Sequence, residues 1–342
     1  MKTKIILLIT ALALFFAGTV QSCKSHSDAT TPEVQQTEAP AVVPERTLTV
    51  TATGDCTFAT DSNADKSVGF VGYADKYGYD YFFENMRNLF SEDDLTLVNF
   101  EGTLSENGER EPKQFAFRGD PEYVKVLTGS SVEAANLANN HSSDYGSISL
   151  RDTQRILEEN DILTCRGKEN VTVAEINGIK VGLVGINYLN DIMKTELEDA
   201  IQKAKDNGAE LIILSIHWGV EKATKPNDEQ IKAAHLAVDC GADLVIGTHP
   251  HVLQGYEKYN GKYICYSLGN FCFGGNSNPS DKDTAVFRQT FTITDEGILD
   301  DDNIEIIPCR ISESSSYNDY QPFIAEGDEA ERILKKIPLI NE

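Results

Sequence analysis

The chain has 342 residues and a formal net charge of −24, from 54 acidic and 30 basic residues. No cluster of Lys and Arg is present to follow a phosphate backbone, so we do not expect nucleic acid as a partner. The seven cysteines show no CxxC pair and no regular spacing, which indicates packing as small hydrophobic side chains and does not indicate a disulfide framework.

The first 23 residues have the pattern of a targeting segment. Two lysines precede the apolar run Ile5–Phe16, which is too short to span a bilayer as a helix. The sequence Val20-Gln-Ser-Cys23 then resembles a bacterial lipoprotein signal, in which cleavage leaves a lipid-carrying cysteine. We therefore expect residues 1–22 to be a signal peptide and Cys23 to anchor the protein to a membrane of the bacterial cell envelope. An ordinary signal peptide with an incidental cysteine is the alternative.

Composition divides the remainder into three parts. Residues 23–46 are rich in Ser, Thr, Pro, Glu and Gln, and they predict a flexible linker because they cannot bury enough apolar surface to fold. Frequent apolar runs over residues 47–310 predict one layered α/β domain. Residues 311–342 predict a loop and a short helix at Asp328–Ile337.

Within the domain, five buried strands are predicted, and each of them ends in polar side chains. The strands are Thr47–Thr53, Leu95–Phe100, Val132–Ala138, Leu211–Ile216 and Asp243–Ile246. Helical periodicity predicts helices at Ile148–Asn160, Glu196–Asn207 and Asp228–Cys240. Alternating residues near the end predict that Val286–Asp295 and Asn303–Arg310 pair as strands that close the second sheet.

The polar residues at the strand ends provide oxygen and nitrogen ligands without a thiolate. They are Asp55, Glu101, Asn140 with His141, His217, and His249 with His251. Because open α/β sheets place ligands at the carboxyl ends of strands, we expect these side chains to converge. The set favours one or two divalent metal ions, with Mn, Fe and Zn as candidates. Taken singly, each residue also has a structural interpretation, as a turn, a cap or a packed histidine.

The two histidines near residue 250 are the strongest part of this set. His249 and His251 can both face one metal centre if the backbone turns between them. Pro250 fixes its own φ and predicts an extended conformation for His249. His235, in the middle of a predicted helix, is interpreted as structural.

Seven motifs together carry a resemblance to a known family. In chain order they are Gly54-Asp55, Asn99-Phe-Glu101, Phe117-Arg118, Ala138-Asn-Asn-His141 with Asp144-Tyr-Gly146, His217-Trp-Gly-x-Glu221, Gly247-x-His-Pro-His251 and Ser267-Leu-Gly-Asn-Phe271. The stretch from Leu48 to Phe271 resembles the bacterial capsule-synthesis CapA proteins. That family is associated with formation of poly-γ-glutamate capsules and is similar in fold to calcineurin-like metallophosphoesterases. The resemblance implies a four-layer α/β/β/α sandwich that usually holds two metal ions.

The resemblance also implies roles for individual residues. Asp55 would bind a metal, Glu101 would bridge two, and His251 would bind one of them. Asn140, His217 and His249 would bind the other ion. His141 would stand outside the ligand set as an acid near the leaving group.

Three further residues are candidates for substrate binding. Arg118 has the fork geometry to pair with a phosphate or carboxylate, although a surface ion pair is an equal alternative. Glu221 follows the His217 motif. Asn270 lies at a predicted tip where the neighbouring glycine also fits a simple turn.

Two departures from the phosphoesterase pattern bear on the chemistry. The first motif of that superfamily is Asp-x-His, but Thr57 stands at the histidine position. Glu101 stands where the bridging residue is usually Asp. We expect metal-dependent hydrolysis of a phosphoester or related bond, acting with an anionic surface polymer, its phosphorylated precursor or a capsule synthase complex. A non-catalytic accessory protein that binds such a polymer or synthase, and a metal-dependent amide hydrolase, remain as alternatives.

Overall fold

The computed structural model describes residues 45–340, so the predicted signal peptide, Cys23 and nearly all of the predicted linker lie outside the described residues. In the described range the strands are β1 (Arg46–Thr57), β2 (Leu95–Phe100), β3 (Thr103–Leu104), β4 (Arg118–Gly119), β5 (Ala134–Asn136), β6 (Leu163–Cys165), β7 (Thr172–Ile176), β8 (Ile179–Asn187), β9 (Leu211–His217), β10 (Leu244–Thr248), β11 (Tyr256–Tyr259), β12 (Lys262–Cys265), β13 (Asn270–Phe273), β14 (Asp283–Thr294), β15 (Gly297–Ile298), β16 (Ile304–Arg310) and β17 (Phe323–Ile324). The α-helices are α1 (Phe70–Tyr77), α2 (Arg87–Ser91), α3 (Val124–Thr128), α4 (Gly146–Glu159), α5 (Asp191–Thr195), α6 (Leu197–Asp206), α7 (Asp228–Asp239) and α8 (Gly327–Leu334).

The larger sheet has nine strands, with β1 near its centre. Its order is β17, β16, β14, β1, β2, β5 and β6, with β13 paired to the end of β1 and β15 paired to β14. Strands β1, β2, β5 and β6 run parallel, whereas β14 and β16 run antiparallel to their neighbours. The carboxyl ends of β1, β2, β5 and β6 therefore lie along one edge of this sheet.

The smaller sheet has six strands in the order β11, β12, β10, β9, β8 and β7. Strands β8, β9, β10 and β12 are parallel, and the register places Thr248 of β10 opposite His217 of β9. The carboxyl ends of β9 and β10 thus lie side by side.

The two sheets pack face to face, and helices cover both outer faces. In β9, Leu211 and Ile213 join the core between the sheets, whereas Ile212, Leu214 and Ile216 pack with residues of α6 and α7. Helices α1 to α4 contribute to a third core against the outer face of the larger sheet. Strands buried on both faces have continuous apolar sequences, which explains the uninterrupted run in β9. The predicted four-layer α/β/β/α sandwich is confirmed.

Most predicted elements are present with small shifts in their ends. The strand predicted at Val132–Ala138 is shorter, Ala134–Asn136, and the strand predicted to end at Thr53 continues to Thr57. Strands β14 and β16 pair as predicted, but they extend the sheet that contains β1.

The C-terminal region packs on this sandwich. Ala325, Ile333 and Ile337 belong to the core between the sheets. Arg332 and Lys336 pair with Asp283 at the start of β14, which holds α8 in place. None of the helices within residues 45–340 has the length and apolar character needed to cross a bilayer.

Candidate metal centre

The carboxyl ends of β1, β2, β5, β9 and β10 meet at one edge of the sandwich. Several contacts join the two sheets there. The backbone N–H of His249 donates to Asp55 Oδ2 at 3.3 Å, and Asn99 Nδ2 lies 3.3 Å from His217 Nδ1. Because the strands come from two sheets, the cluster is enclosed from both sides instead of lying along the rim of one sheet.

The position of Asp55 depends on the preceding residue, Gly54. A Cβ at Gly54 would lie 1.9 Å from the carbonyl oxygen of Gly269, so only glycine allows this approach of the two backbones. The approach lets the Asp55 N–H donate to Gly269 O at 2.9 Å. The register between β1 and β2 also shifts between Ala52 and Asp55, which re-aims the end of β1.

The backbone of the His-Pro-His segment differs from the sequence-based expectation. His249 has φ 96° and His251 has φ 58°, so both lie in the left-handed region. The expectation that Pro250 holds His249 in an extended conformation is wrong, because packing between the sheets overrides that local preference. Left-handed conformations of non-glycine residues carry strain of about 1–3 kcal/mol each and cluster at functional sites. The turn does bring both rings into one cluster, with centroids 5.6 Å apart.

Glu101 lies at the centre of the cluster. It is fully buried, and neither carboxylate oxygen accepts a hydrogen bond from any residue in the described range. Its Oε1 lies 3.8 Å from His141 Nε2, 3.9 Å from His217 Nε2 and 3.8 Å from His251 Nε2. A buried carboxylate with no donor is costly, because it has lost its hydration without compensation. The arrangement therefore leaves a carboxylate and three imidazole nitrogens facing one another across a gap.

In His141, His217 and His251 the Nδ1 atom lies beside an oxygen atom of another side chain, and the Nε2 atom faces Glu101. Asp144 Oδ2 lies 2.7 Å from His141 Nδ1. Thr248 Oγ1 lies 3.0 Å from His217 Nδ1. Asp55 Oδ2 and Asn270 Oδ1 each lie 3.0 Å from His251 Nδ1. Partners of this kind fix the ring orientation of metal-ligating histidines.

Two further atoms complete the donor set. Asn140 Oδ1 lies 2.8 Å from His217 Nε2, so its lone pairs face the same gap. His249 Nδ1 is buried and has no hydrogen-bond partner among residues 45–340. The rings of His217 and His249 are 4.7 Å apart.

The electrostatics follow from burial and from the like charges within the cluster. Burial raises the pKa of Glu101 well above its usual value, and the neighbouring charge of Asp55 raises it further. Burial lowers the pKa of His217 well below 6.5 and that of His249 to about 4, so both are neutral bases near pH 7. Burial opposes a charge on His251, but the carboxylates of Glu101 and Asp55 outweigh it and raise its pKa to about 9.

These residues fit a divalent metal ion. A carboxylate oxygen of Asp55, one of Glu101 and a ring nitrogen of His217 lie within 4.8 Å of one another. Ligand atoms lie about 2 Å from a zinc ion, so two ligands of one ion are at most about 4 Å apart, and the spacings around Glu101 Oε1 meet this limit. The donors are oxygen and imidazole nitrogen, which suit Mn, Fe or Zn. Cys56 is fully buried, and burial raises the pKa of its thiol to about 12, which keeps it protonated.

Two residues around His141 were not assigned roles from the sequence. Asp144 lies beside Nδ1 of the His141 imidazole. Lys113 Nζ pairs with Asp144 Oδ1 at 2.6 Å and donates to the backbone carbonyl oxygen of Asn140 at 2.8 Å. The ring of Phe117 packs against His141 with centroids 4.6 Å apart. The three-residue spacing of His141 and Asp144 in one turn is a signal that could have revealed the pair. Lys113 lies in a polar loop without any such signal.

The three predicted substrate-binding residues lie in different surroundings. Asn270 is in contact with the cluster, since its Nδ2 also donates to the carbonyl oxygen of His251 at 3.3 Å. Glu221 is exposed, and its charge adds to the effects that raise the pKa of Glu101. Arg118 lies over the ring of Tyr145 at 4.1 Å and donates to Gly108 O, so its contacts are outside the cluster. Substrate binding by these residues stays a prediction.

We expect His217→Ala and His249→Ala each to lower the bound metal well below that of the parent protein, because each removes a donor that no neighbour replaces. The measurement is metal analysis after reloading with Mn or Zn and dialysis. His235→Gln is the matched control, since His235 is bonded to Glu257 and stacked on Tyr259, away from the cluster. Full metal content in both alanine variants would contradict this assignment.

The buried His249 should contribute a loss of stability to the metal-free protein as the pH falls. The pKa of His249 is about 4 in the folded protein and near 6.5 in an unfolded chain, so between these values only the unfolded chain takes up the proton. Unfolding in urea at about pH 7 and about pH 4, after chelation, should show a fall in the free energy of unfolding that is smaller in His249→Asn. The difference is on the order of 3 kcal/mol, at about 1.4 kcal/mol per pKa unit. Parallel pH dependences of the two proteins would contradict the assignment.

Comparison with known proteins places this centre in a family. The model of the family described as "Bacterial capsule synthesis protein PGA_cap" matches residues 49–275, a range that contains all the cluster residues described above. The chain is 30% identical over 312 residues to "Capsule biosynthesis protein CapA" of Bacillus anthracis, covering 82% of this chain and 72% of that protein. It is 31% identical over 240 residues to "PGA biosynthesis protein CapA" of Bacillus subtilis (strain 168), covering 60% and 63% respectively.

Two weaker similarities are to a protein of Mycobacterium tuberculosis and to a solved structure from Thermus thermophilus. A "Probable polyglutamine synthesis accessory protein" of Mycobacterium tuberculosis is 27% identical over 257 residues, covering 64% of this chain and 66% of that protein. Among solved structures, a hypothetical protein from Thermus thermophilus aligns with a TM-score of 0.49 and 14% identity, over 76% of this chain and 98% of that chain. On the family match and the similarity to the Bacillus anthracis protein, this chain belongs to the bacterial capsule synthesis protein family.

Proposed function

We propose that this protein is a metal-dependent hydrolase of a phosphoester or related bond that serves synthesis of a surface polymer of the poly-γ-glutamate type. The polymer class comes from the names of the similar Bacillus proteins. The observation that carries the hydrolytic part is the buried Glu101 carboxylate, which has no hydrogen-bond donor within the described residues and faces three imidazole nitrogens. The substrate class is the phosphorylated precursor of the polymer.

The proposed chemistry assigns the donor cluster to metal binding. Asp55, Glu101 and His217 would hold the ion, with Asn140 and His249 beside them, and the bound ion would supply a hydroxide nucleophile near neutral pH and neutralise charge on a phosphoryl oxygen. The two sheets and Phe117 would exclude bulk water from the buried side of the cluster.

His141 is placed to act as the acid. Asp144 Oδ2 accepts a hydrogen bond from His141 Nδ1 and so keeps Nε2 directed at the cluster, and Lys113 pairs with the other oxygen atom of Asp144. The His141 side chain is 10% exposed, so it lies at the boundary between the buried cluster and the opening. A proton on Nε2 would there pass to the leaving oxygen.

A binding role without turnover is the second candidate. The observation that favours it is the name of the Mycobacterium tuberculosis relative, an accessory protein of synthesis. The net charge of −24 disfavours an anionic polymer as the bound partner unless cations screen it, and so points to a synthase protein. An amide hydrolase would use the same donor set.

We expect His141→Gln to keep the metal and the fold but to lower turnover of a chromogenic phosphate ester by about a hundredfold to ten-thousandfold, the usual range for a positioned acid. Metal analysis and circular dichroism are measured on the same samples, with His235→Gln as the control. Loss of metal together with activity would make His141 a ligand. A parent protein that binds metal but turns over no ester would favour the accessory role.

We also propose that the protein is a lipid-anchored lipoprotein of the cell envelope, on the sequence Val20-Gln-Ser-Cys23 alone. Cys23→Ala should release the protein from the membrane fraction or leave it unprocessed, because it removes the acylated thiol. Fractionation and mass analysis of the N-terminal peptide are the measurements. A variant that remains acylated and fractionates like the parent would refute the anchor.

A further inference from the structure

We propose that Lys113 is a positioning residue of the proposed reaction, which acts through Asp144 to hold His141 in the orientation of a proton donor. The inference rests on the proposed hydrolase and deepens it, because it names a residue that controls the acid without touching the substrate. Lys113 lies in a polar loop, 28 residues before His141 in the chain.

The Asp144 carboxylate is fully buried, and its two oxygen atoms have different partners. Oδ1 pairs with Lys113 Nζ at 2.6 Å. Oδ2 accepts from His141 Nδ1 at 2.7 Å and from the backbone N–H of Phe117 at 2.6 Å. Because each oxygen atom has its own donor, the plane of the carboxylate is fixed and Oδ2 stays directed at the imidazole. Removing Lys113 would take the donor from Oδ1, which is unfavourable for a buried acceptor and favours rotation of the carboxylate.

Lys113 is also fixed relative to the backbone of the acid. Its Nζ donates to the carbonyl oxygen of Asn140, the residue directly before His141, at 2.8 Å. The same Nζ lies 3.4 Å from His141 Nδ1. An ammonium group carries several N–H donors, so it can contact this carbonyl oxygen and the Asp144 carboxylate together. One side chain therefore fixes both the backbone that carries His141 and the carboxylate that orients its ring.

The loop segment that carries Lys113 is itself held by a second buried carboxylate, that of Asp61. Arg110 Nη2 pairs with Asp61 Oδ2 at 2.9 Å, and the Ala116 N–H donates to the same oxygen atom at 2.7 Å. These contacts lie on both sides of Lys113, so its side chain reaches Asp144 from a defined position. Arg110 thus makes the same kind of ion pair from the same segment, but with a different carboxylate.

Lys113→Met and Arg110→Met are a matched pair of variants that test this role. Each keeps an unbranched apolar stem, and each removes the cation from an ion pair with a buried carboxylate. The metal-loaded proteins are assayed with phenyl phosphate and with dinitrophenyl phosphate. Phenolate is a poor leaving group that needs the proton from the acid, whereas dinitrophenolate leaves readily without it.

For Lys113→Met we expect kcat with phenyl phosphate to fall about ten- to hundredfold, the usual cost of losing an orienting partner. KM and metal content should stay near those of the parent, and kcat with dinitrophenyl phosphate should fall by less than about threefold. Arg110→Met should affect the two esters equally. In the His141→Gln background, adding Lys113→Met should cause no further fall, because the two residues act as one unit.

An unchanged kcat with phenyl phosphate, equal losses with the two esters, an additive effect with His141→Gln, or loss of metal from Lys113→Met would each overturn the inference. The proposed hydrolase would survive those results. If Lys113→Met fails to fold by circular dichroism, Asp144→Asn decides the question and should show the same dependence on the leaving group. A parent protein that turns over neither ester would overturn both proposals.

Discussion

Two carboxylates, Asp55 and Glu101, are fully buried side by side where the two sheets of the sandwich meet. Removing two like charges from water is strongly unfavourable unless donors or cations compensate them. The fold compensates Asp55 with backbone and side-chain donors but gives neither oxygen atom of Glu101 a hydrogen bond from residues 45–340. This unequal compensation is the constraint on which the rest of the centre depends, because it leaves one buried carboxylate facing the imidazoles without a hydrogen-bond donor.

The backbone around the centre carries the strain that such a cluster requires. His249 and His251 both have positive φ, and Gly54 admits a carbonyl oxygen where a Cβ would lie 1.9 Å away. These conformations persist because parallel strands buried on both faces hold their ends rigidly. The helices on the outer faces matter to the site in this indirect way, by burying the strands that carry it.

Membership of the capsule synthesis family and the geometry of the centre give different kinds of support. Family membership rests on residues 49–275 and concerns ancestry, whereas the assignment of chemistry rests on atoms in the cluster. Both kinds of support concern Thr57 and Glu101, the positions at which the chain differs from the phosphoesterase pattern. The buried Thr57 hydroxyl has no hydrogen-bond partner among residues 45–340, and neither oxygen atom of Glu101 has one, whereas both oxygen atoms of Asp55 lie near donors.

The sequence by itself determined the class of fold, the strands whose ends carry the site, and the types of donor present, because burial periodicity and residue chemistry are local properties. It placed β2 at Leu95–Phe100 with both ends correct, and it identified Glu101 directly after that strand. Only the tertiary structure decided which donors are satisfied. Whether Asp55 accepts from His251, whether Lys113 reaches Asp144, and whether His249 is extended depend on contacts between segments far apart in the chain. Local sequence could not determine these, because packing between the two sheets overrides the preference that Pro250 imposes on its neighbour.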